Sequence, residues 1–307
     1  MNSSVDLSVR VGDVSLASPI LTAAGTSGHG AELGAYVDLA TLGAVVVKSL
    51  SADPWPGNPS PRVAPVRAGM LNSVGLQGRG VPAWIEEELP SLVELHATVV
   101  VSIWGRSVAD FARAASMLRG LPESVVALEV NISCPNVEDR SRMFAHSVSA
   151  TQEVLEATSS AGLPRWAKLS PNVSDIAEIA GAARAGGATA VTLINTVLGL
   201  GIDIDHRRPV LGAIGGGLSG PAVHPVALRA VFDCHRAHPD LPIVGVGGVS
   251  TGREAVALMM AGASAVGVGT ATFAEPRATS RILKELTSWC EGENIKRVAE
   301  LTGVAHG

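Results

Sequence analysis

The chain is short of cysteine, of aromatic rings and of charge. Its 307 residues include 3 cysteines, with 3% aromatic and 17% charged residues. Cys134, Cys234 and Cys290 lie far apart with no C-x-x-C pair, which excludes a disulfide framework and leaves no ligand set for zinc or an iron–sulfur cluster. No metal site is expected. A formal net charge of −5 argues against nucleic acid, whose phosphate backbone calls for a basic face. No apolar run approaches the length of a membrane span. Met1 to Val14 alternate polar and apolar residues without the basic region and apolar stretch of a signal peptide, so a reducing, cytoplasmic compartment is expected. What the chain does have is glycine, 34 residues of it, and a hydrophobic content of 47%, enough for one large α/β domain or two smaller ones with an aliphatic core.

Short apolar runs rich in β-branched residues recur along the chain, each followed by an amphipathic or alanine-rich stretch. Strands are expected at Pro19 to Ala23, Ala44 to Lys48, Val99 to Ile103, Ala127 to Ile132, Trp166 to Leu169, Ala190 to Asn195, Ile243 to Gly247 and Ala265 to Gly269. Helices are expected at Ala31 to Ala40, Ala83 to Leu95, Val108 to Leu118, Ser149 to Ala161, Ser174 to Ala185, Pro225 to His238, Gly252 to Ala261 and Arg277 to Cys290. Strands too uniformly apolar to face water on either side, repeated eight times, fit a closed (β/α)8 TIM barrel better than an open sheet. No linker or charge run divides the chain, so residues 1–307 are read as a single domain. The connections Ser49 to Gly80 and Thr196 to Ala222 are long and rich in glycine and proline; they are expected over the C-terminal face, where such loops are usually functional.

Catalysis in this fold lives where the strands end. Lys48, Ser102, Asn131, Lys168 and Asn195 each close an otherwise apolar run, and their convergence on one rim would line a pocket with donors and acceptors. Asn131-Ile-Ser-Cys-Pro-Asn136 also sets a thiol between two carboxamides. Proline biases the residue before it away from helical angles, which puts Cys134 on a loop at a strand's end. Two readings stand: a catalytic general base, or the small buried hydrophobe that free cysteine usually is.

Gly245-Val-Gly-Gly-Val-Ser250 ends a strand and opens a helix, and Gly267-Val-Gly-Thr-Ala271 does nearly the same one unit later. Glycine lets the backbone approach an anion, helix N-termini point free N–H groups at it, and the loops after strands seven and eight are the barrel's habitual phosphate site. Tight packing of strand against helix consumes glycine too. Gly215-Gly-Gly217-Leu-Ser-Gly220 satisfies G-x-G-x-x-G, but the acidic residue a dinucleotide site wants at the end of the next strand is missing. Cys234 and His238 share a helical face without further ligands, and an ordinary helix surface accounts for them.

A phosphate at the last two loops, a lysine in mid-rim and amides around a thiol describe a flavin mononucleotide pocket. The longer motifs are Gly57-Asn-Pro-Ser-Pro-Arg-Val63, Gly69-Met-Leu-Asn-Ser-Val-Gly-Leu-Gln77, Asn131-Ile-Ser-Cys-Pro-Asn-Val137, Lys168-Leu-Ser-Pro-Asn-Val173, Gly217-Leu-Ser-Gly-Pro-Ala222 and Ala261-Gly-Ala-Ser-Ala-Val266. In their order, from about Val14 to Pro276, the chain resembles the class 1 dihydroorotate dehydrogenases, and more closely their 1B type.

The resemblance implies FMN as cofactor and Cys134 as the general base that takes a proton from carbon 5 of dihydroorotate while hydride leaves carbon 6. It implies a substrate site of Lys48, Asn72, Ser73, Val74, Gly75, Leu76, Asn131, Asn136, Asn195 and Thr196. Cofactor contacts would come from Ala24, Gly25, Lys48, Ser49, Ser102, Asn131, Lys168, Ile194, Gly220, Gly247, Gly248, Gly269 and Thr270. It further implies a homodimer and electron transfer to a separate subunit carrying FAD and a [2Fe–2S] cluster, which uses NAD. The chain departs from the family where a serine often stands at Ala24 and an asparagine at Ser102. The segment Glu138 to Phe144, with Arg140 and Arg142, also lacks the usual glycine-rich turn; it is expected to be the lid. These departures leave open a paralogue acting on another cyclic amide, and the barrel alone leaves open a flavin-free enzyme of a phosphorylated substrate.

Overall fold

Residues 5–133, 135–136 and 142–307 are described by a computed structural model. At its centre lie eight short strands: β1 (Ile20–Thr22), β2 (Val45–Val46), β3 (Val99–Ile103), β4 (Val125–Asn131), β5 (Arg165–Lys168), β6 (Ala190–Leu193), β7 (Ile243–Val246) and β8 (Ala265–Val268). They pair in parallel in the order β1-β8-β7-β6-β5-β4-β3-β2. The two end strands meet through a parallel bridge between Leu21 and Ala44, with Thr22 N–H donating to Ala44 O at 3.2 Å and Gly43 N–H to Ile20 O at 2.8 Å. The sheet is thereby closed on itself, the arrangement that removes strand edges altogether.

The strands read as continuous apolar runs because both faces are covered: Val99, Val100, Val101 and Ile103 of β3 are all fully buried. Helices Val108–Ser116 and Gly252–Met260 start where they do because Ser107 with Asp110, and Thr251 with Glu254, form reciprocal capping boxes that satisfy the first free N–H groups. Asp175 accepts from Ala177 and Glu178 N–H to start Ile176–Ala185, and Ser147 caps Val148–Ala157 in the same way. The hairpin of Val9–Val11 with Val14–Leu16 adds its buried valines and Leu16 to the central core. Among the described residues no helix is long and apolar enough to cross a membrane.

Two expectations are corrected. The segment after β1 is not one helix from Ala31 to Ala40 but two 3-10 turns, Ala31–Ala35 and Leu39–Thr41. Gly34 weakens the helix, and the Asp38 side chain accepts from Ala40 N–H, starting a second turn instead of continuing the first. The two long connections carry a sheet of their own. Val197–Gly199, Gly216–Ser219, Gly69–Asn72 and Val63–Val66 form a four-stranded antiparallel sheet in that order, with Gly217 opposite Asn72 and Leu218 opposite Leu71. Gly217 sits against the Thr196 hydroxyl, where a Cβ has no room. Gly216–Ser219 is thus an inner strand of this sheet rather than a phosphate-binding turn, which disposes of the G-x-G-x-x-G match.

Candidate active site

A cavity of about 710 Å³ lies between the C-terminal ends of the barrel strands and the antiparallel sheet. Of the residues expected at the site, Ala24, Gly25, Lys48, Ser49, Asn72, Val74, Gly75, Leu76, Asn131, Lys168, Ile194, Asn195, Thr196, Gly220, Gly247, Gly248, Gly269 and Thr270 line it. Ser73 does not: successive residues of an extended chain face opposite ways, and Ser73 faces a neighbouring polar chamber of about 520 Å³ with Asn58, Ser133, Ser170 and Asn172. Cys134 and residues 137–141 lie outside the described residues. Asn136 pairs through its backbone with Arg142.

The cavity floor is a buried polar network. Lys168, last in β5, stands in register with Asn131 of β4 and Thr192 of β6. Its Nζ lies 3.7 Å from Glu129 Oε1, with both side chains almost wholly buried. An ammonium or carboxylate alone at that depth would be several kcal/mol too costly, so each requires the other. Ser102 corrects the reading that placed it on the cofactor. It is fully buried, donates to Glu129 Oε1 at 3.1 Å and lies 2.8 Å from Ser49 Oγ, so it lies behind Ser49 and does not line the cavity itself. Asn131 Nδ2 donates to Ser49 Oγ at 3.2 Å, and Asn195 Nδ2 to Asn131 Oδ1 at 3.4 Å. Sequence reading missed Glu129, yet the signal was there: a carboxylate inside a strand of seven residues whose other members are apolar or buried must have a buried partner.

At one end of the cavity the chain turns on glycine. Gly247 and Gly248 have φ of 146° and 67°. A Cβ on Gly248 would stand 2.8 Å from the His224 backbone nitrogen and 2.9 Å from Gly220 O. His224, the first residue of helix His224–Ala237, donates from Nδ1 to Gly247 O at 2.9 Å and locks the turn. These glycines therefore serve packing as well as any ligand. Gly25 is different: at φ 84° it lines the cavity, and a Cβ there would meet nothing within 4 Å. The space in front of it is open cavity.

The antiparallel sheet closes the other side. Asn72 Nδ2 donates to Gly217 O at 3.4 Å, tying the two long connections together. Arg62 braces the approach to Asn72 by donating to Asn58 O at 2.6 Å, Gln77 Oε1 at 2.8 Å and Pro56 O at 3.0 Å. Burial first, and the Arg62 charge second, lower the pKa of the half-buried Lys48. An ammonium held at that cost, with a second cation near it, is suited to a carboxylate. Arg62 lies within the motif Gly57 to Val63, and only the fold brings it near Lys48.

A closed barrel whose strand ends gather two lysines, an amide-lined floor and a glycine-turned rim defines an α/β-barrel enzyme with its cavity at the strand ends. A family model described as dihydroorotate dehydrogenase matches residues 6–289. The chain belongs to the dihydroorotate dehydrogenase family. It is 46% identical over 300 residues, 97% of this chain and 98% of the relative, to the dihydroorotate dehydrogenase B (NAD(+)) catalytic subunit of Alkaliphilus metalliredigens. Proteins of the same description from Desulforudis audaxviator, 45% identical over 303 residues and covering 98% of both chains, and from Geobacter sulfurreducens, 44% identical over 299 residues and covering 97% of both, agree with the 1B type expected from the motifs.

Proposed function

We propose that the chain oxidises (S)-dihydroorotate to orotate in de novo pyrimidine (UMP) biosynthesis, with FMN in the cavity at the barrel mouth. The observation that carries this reading is the union, in one cavity, of Lys48, Lys168 and the amides of Asn72, Asn131 and Asn195 with the turns at Gly247 and Gly269. The residues fit the cofactor: the open space before Gly25 admits a ligand against the backbone, and the glycine turns at Gly220, Gly247, Gly248 and Gly269 with Thr270 would hold a phosphate. Ala24, Ser49, Asn131, Lys168 and Ile194 would lie along the ring. When bound, FMN supplies the hydride acceptor, which no side chain can provide.

The chain's own residues do the rest. Lys48 meets the substrate carboxylate, and Asn72, Asn131, Asn136 and Asn195 read the carbonyl and N–H edges, since each amide offers a donor and an acceptor together. The N–H groups of Gly75 and Leu76 and the hydroxyl of Thr196 complete the grip. Cys134 removes the proton from carbon 5. Lys168, held by Glu129, would set a cation beside the ring of a bound FMN and favour negative charge there. Electrons would pass to a partner subunit that reduces NAD, proposed to carry FAD and a [2Fe–2S] cluster; the names of the relatives, NAD(+)-linked catalytic subunits, support a separate subunit and the link to NAD. We place the enzyme in the cytoplasm, as a homodimer of this chain with that partner.

The test is turnover of dihydroorotate with an artificial electron acceptor. Activity is expected to vanish when flavin is stripped and to return with FMN and not with FAD; restoration by FAD, or activity without flavin, contradicts the assignment. For the base, Cys134→Ala is expected to keep the flavin and to slow its reduction at neutral pH about a hundredfold or more, the scale for loss of a general base. An unchanged rate would dismiss the thiol.

A further inference from the structure

Glu129 does not line the cavity, yet its side-chain partners among the described residues, Ser102 and Lys168, lead back to the cavity wall. A carboxylate only accepts hydrogen bonds, so Ser102, 3.1 Å from Glu129 Oε1, spends its proton there. The 2.8 Å contact between Ser102 and Ser49 then needs Ser49 as the donor. Ser49 in turn accepts from Asn131 Nδ2 at 3.2 Å. From the far end, Ser133 N–H donates to Asn131 Oδ1 at 3.2 Å and Thr196 N–H to Asn195 Oδ1 at 2.8 Å, so backbone groups already settle which way both amides face. The two hydroxyls are different. A serine O–H rotates to suit its neighbours, and the carboxylate at the end of the chain is what gives these two a direction.

We propose that Glu129 is a positioning residue that acts through Ser102 to hold the Ser49 proton turned into the protein, so that Ser49 meets a ring in the cavity as an acceptor for an N–H group. The inference rests on the reading of the cavity as a flavin and pyrimidine site, since both rings carry N–H groups. It makes Ser49 a selective contact: a ring with an acceptor in place of that N–H would face a lone pair. Lys168 shares the same carboxylate at 3.7 Å, so one buried charge serves both the cation and the direction of the hydroxyls.

Two substitutions separate these roles. Ser102→Ala cuts the relay and leaves the Lys168–Glu129 pair in place; Glu129→Gln leaves Ser102 a partner that donates as readily as it accepts. FMN is expected to bind the Ser102→Ala protein several-fold to about tenfold more weakly, the worth of one misdirected hydrogen bond, and adding Ser49→Ala to Ser102→Ala is expected to cost nothing more. Wild-type affinity in Ser102→Ala, or a further loss in the double variant, overturns the proposal. A ligand-free readout accompanies it: the side-chain amide NMR signal of Asn131, which donates to Ser49, is expected to move in both Ser102→Ala and Glu129→Gln, and an unmoved signal in Ser102→Ala overturns the proposal even if Glu129→Gln fails to fold. A wild-type chain that binds neither FMN nor orotate defeats the functional reading instead, while the amide signal still decides this one.

Discussion

Lys48 stands in the cavity wall where its surroundings work against its charge. Burial is the larger cause and the Arg62 charge the lesser, and both favour the neutral amine over an ammonium of ordinary pKa 10.5. The folded chain therefore binds this proton less tightly than the unfolded chain. The cost of the charged form is present below the lowered folded value and fades as pH rises from there towards 10.5. An anion against Lys48 reverses the balance, so orotate affinity is expected to fall as pH rises through that lowered value, beginning below 10.5. A titration of orotate binding that stays flat up to that pH would contradict the assigned partner. Cys234 makes the opposite case among the thiols. Burial pushes it up to about 12, so it stays protonated at neutral pH, and an alkylating reagent is expected to leave Cys234 unmodified in the folded protein, as peptide mass analysis would show. Rapid labelling of Cys234 would contradict its burial.

At this scale the sequence was readable where a polar residue closed an apolar run, as Lys48, Asn131, Lys168 and Asn195 do. It was not readable where chemistry depended on reach. Ser102 ends a run in the same way, but its short side chain stops beneath Ser49. Glu129 sits inside the run rather than at its end, where no pattern of strand ends would find it.

Among the elements, the turn after β7 is the most exacting. Gly248 combines φ of 67° with backbone of His224 and Gly220 crowded against the place of its Cβ. Gly248→Ala is expected to cost about 1–3 kcal/mol, the range for strain at such a backbone position, and to weaken FMN binding with it; thermal unfolding and flavin titration measure both. Ser107→Ala, which removes one half of a capping box outside the cavity lining, is expected to cost about 1 kcal/mol with flavin affinity unchanged. A loss of flavin there would show that the cavity depends on more than the strand ends. The helix starts and most barrel strands were legible because caps and apolar runs are local signals. The four-stranded sheet of the long connections was not, because its strands are short and glycine-rich and the pairing of Asn72 with Gly217 spans 145 residues, a relation no local period records.

The whole molecule owes its site to closure. Once β1 and β2 meet at Leu21 and Ala44, the polar residues that end β4 and β5 and follow β2 and β6 converge on one mouth, and the two long connections have one place to pair. Repeated strand and helix made that closure legible from sequence alone. The route by which electrons leave was legible only by resemblance, since a relay through a partner leaves no ligand pattern in this chain. The isolated chain is accordingly expected to oxidise dihydroorotate with artificial acceptors and to leave NAD+ unreduced until the partner subunit is added; NAD+ reduction by the chain alone would contradict the relay. The measurement that bears most directly on the account is anaerobic titration of the FMN-loaded chain with dihydroorotate, followed by the flavin's visible absorbance. One equivalent of substrate per flavin is expected to bleach the colour with release of one orotate, and a chain that stays fully yellow in excess dihydroorotate would contradict it.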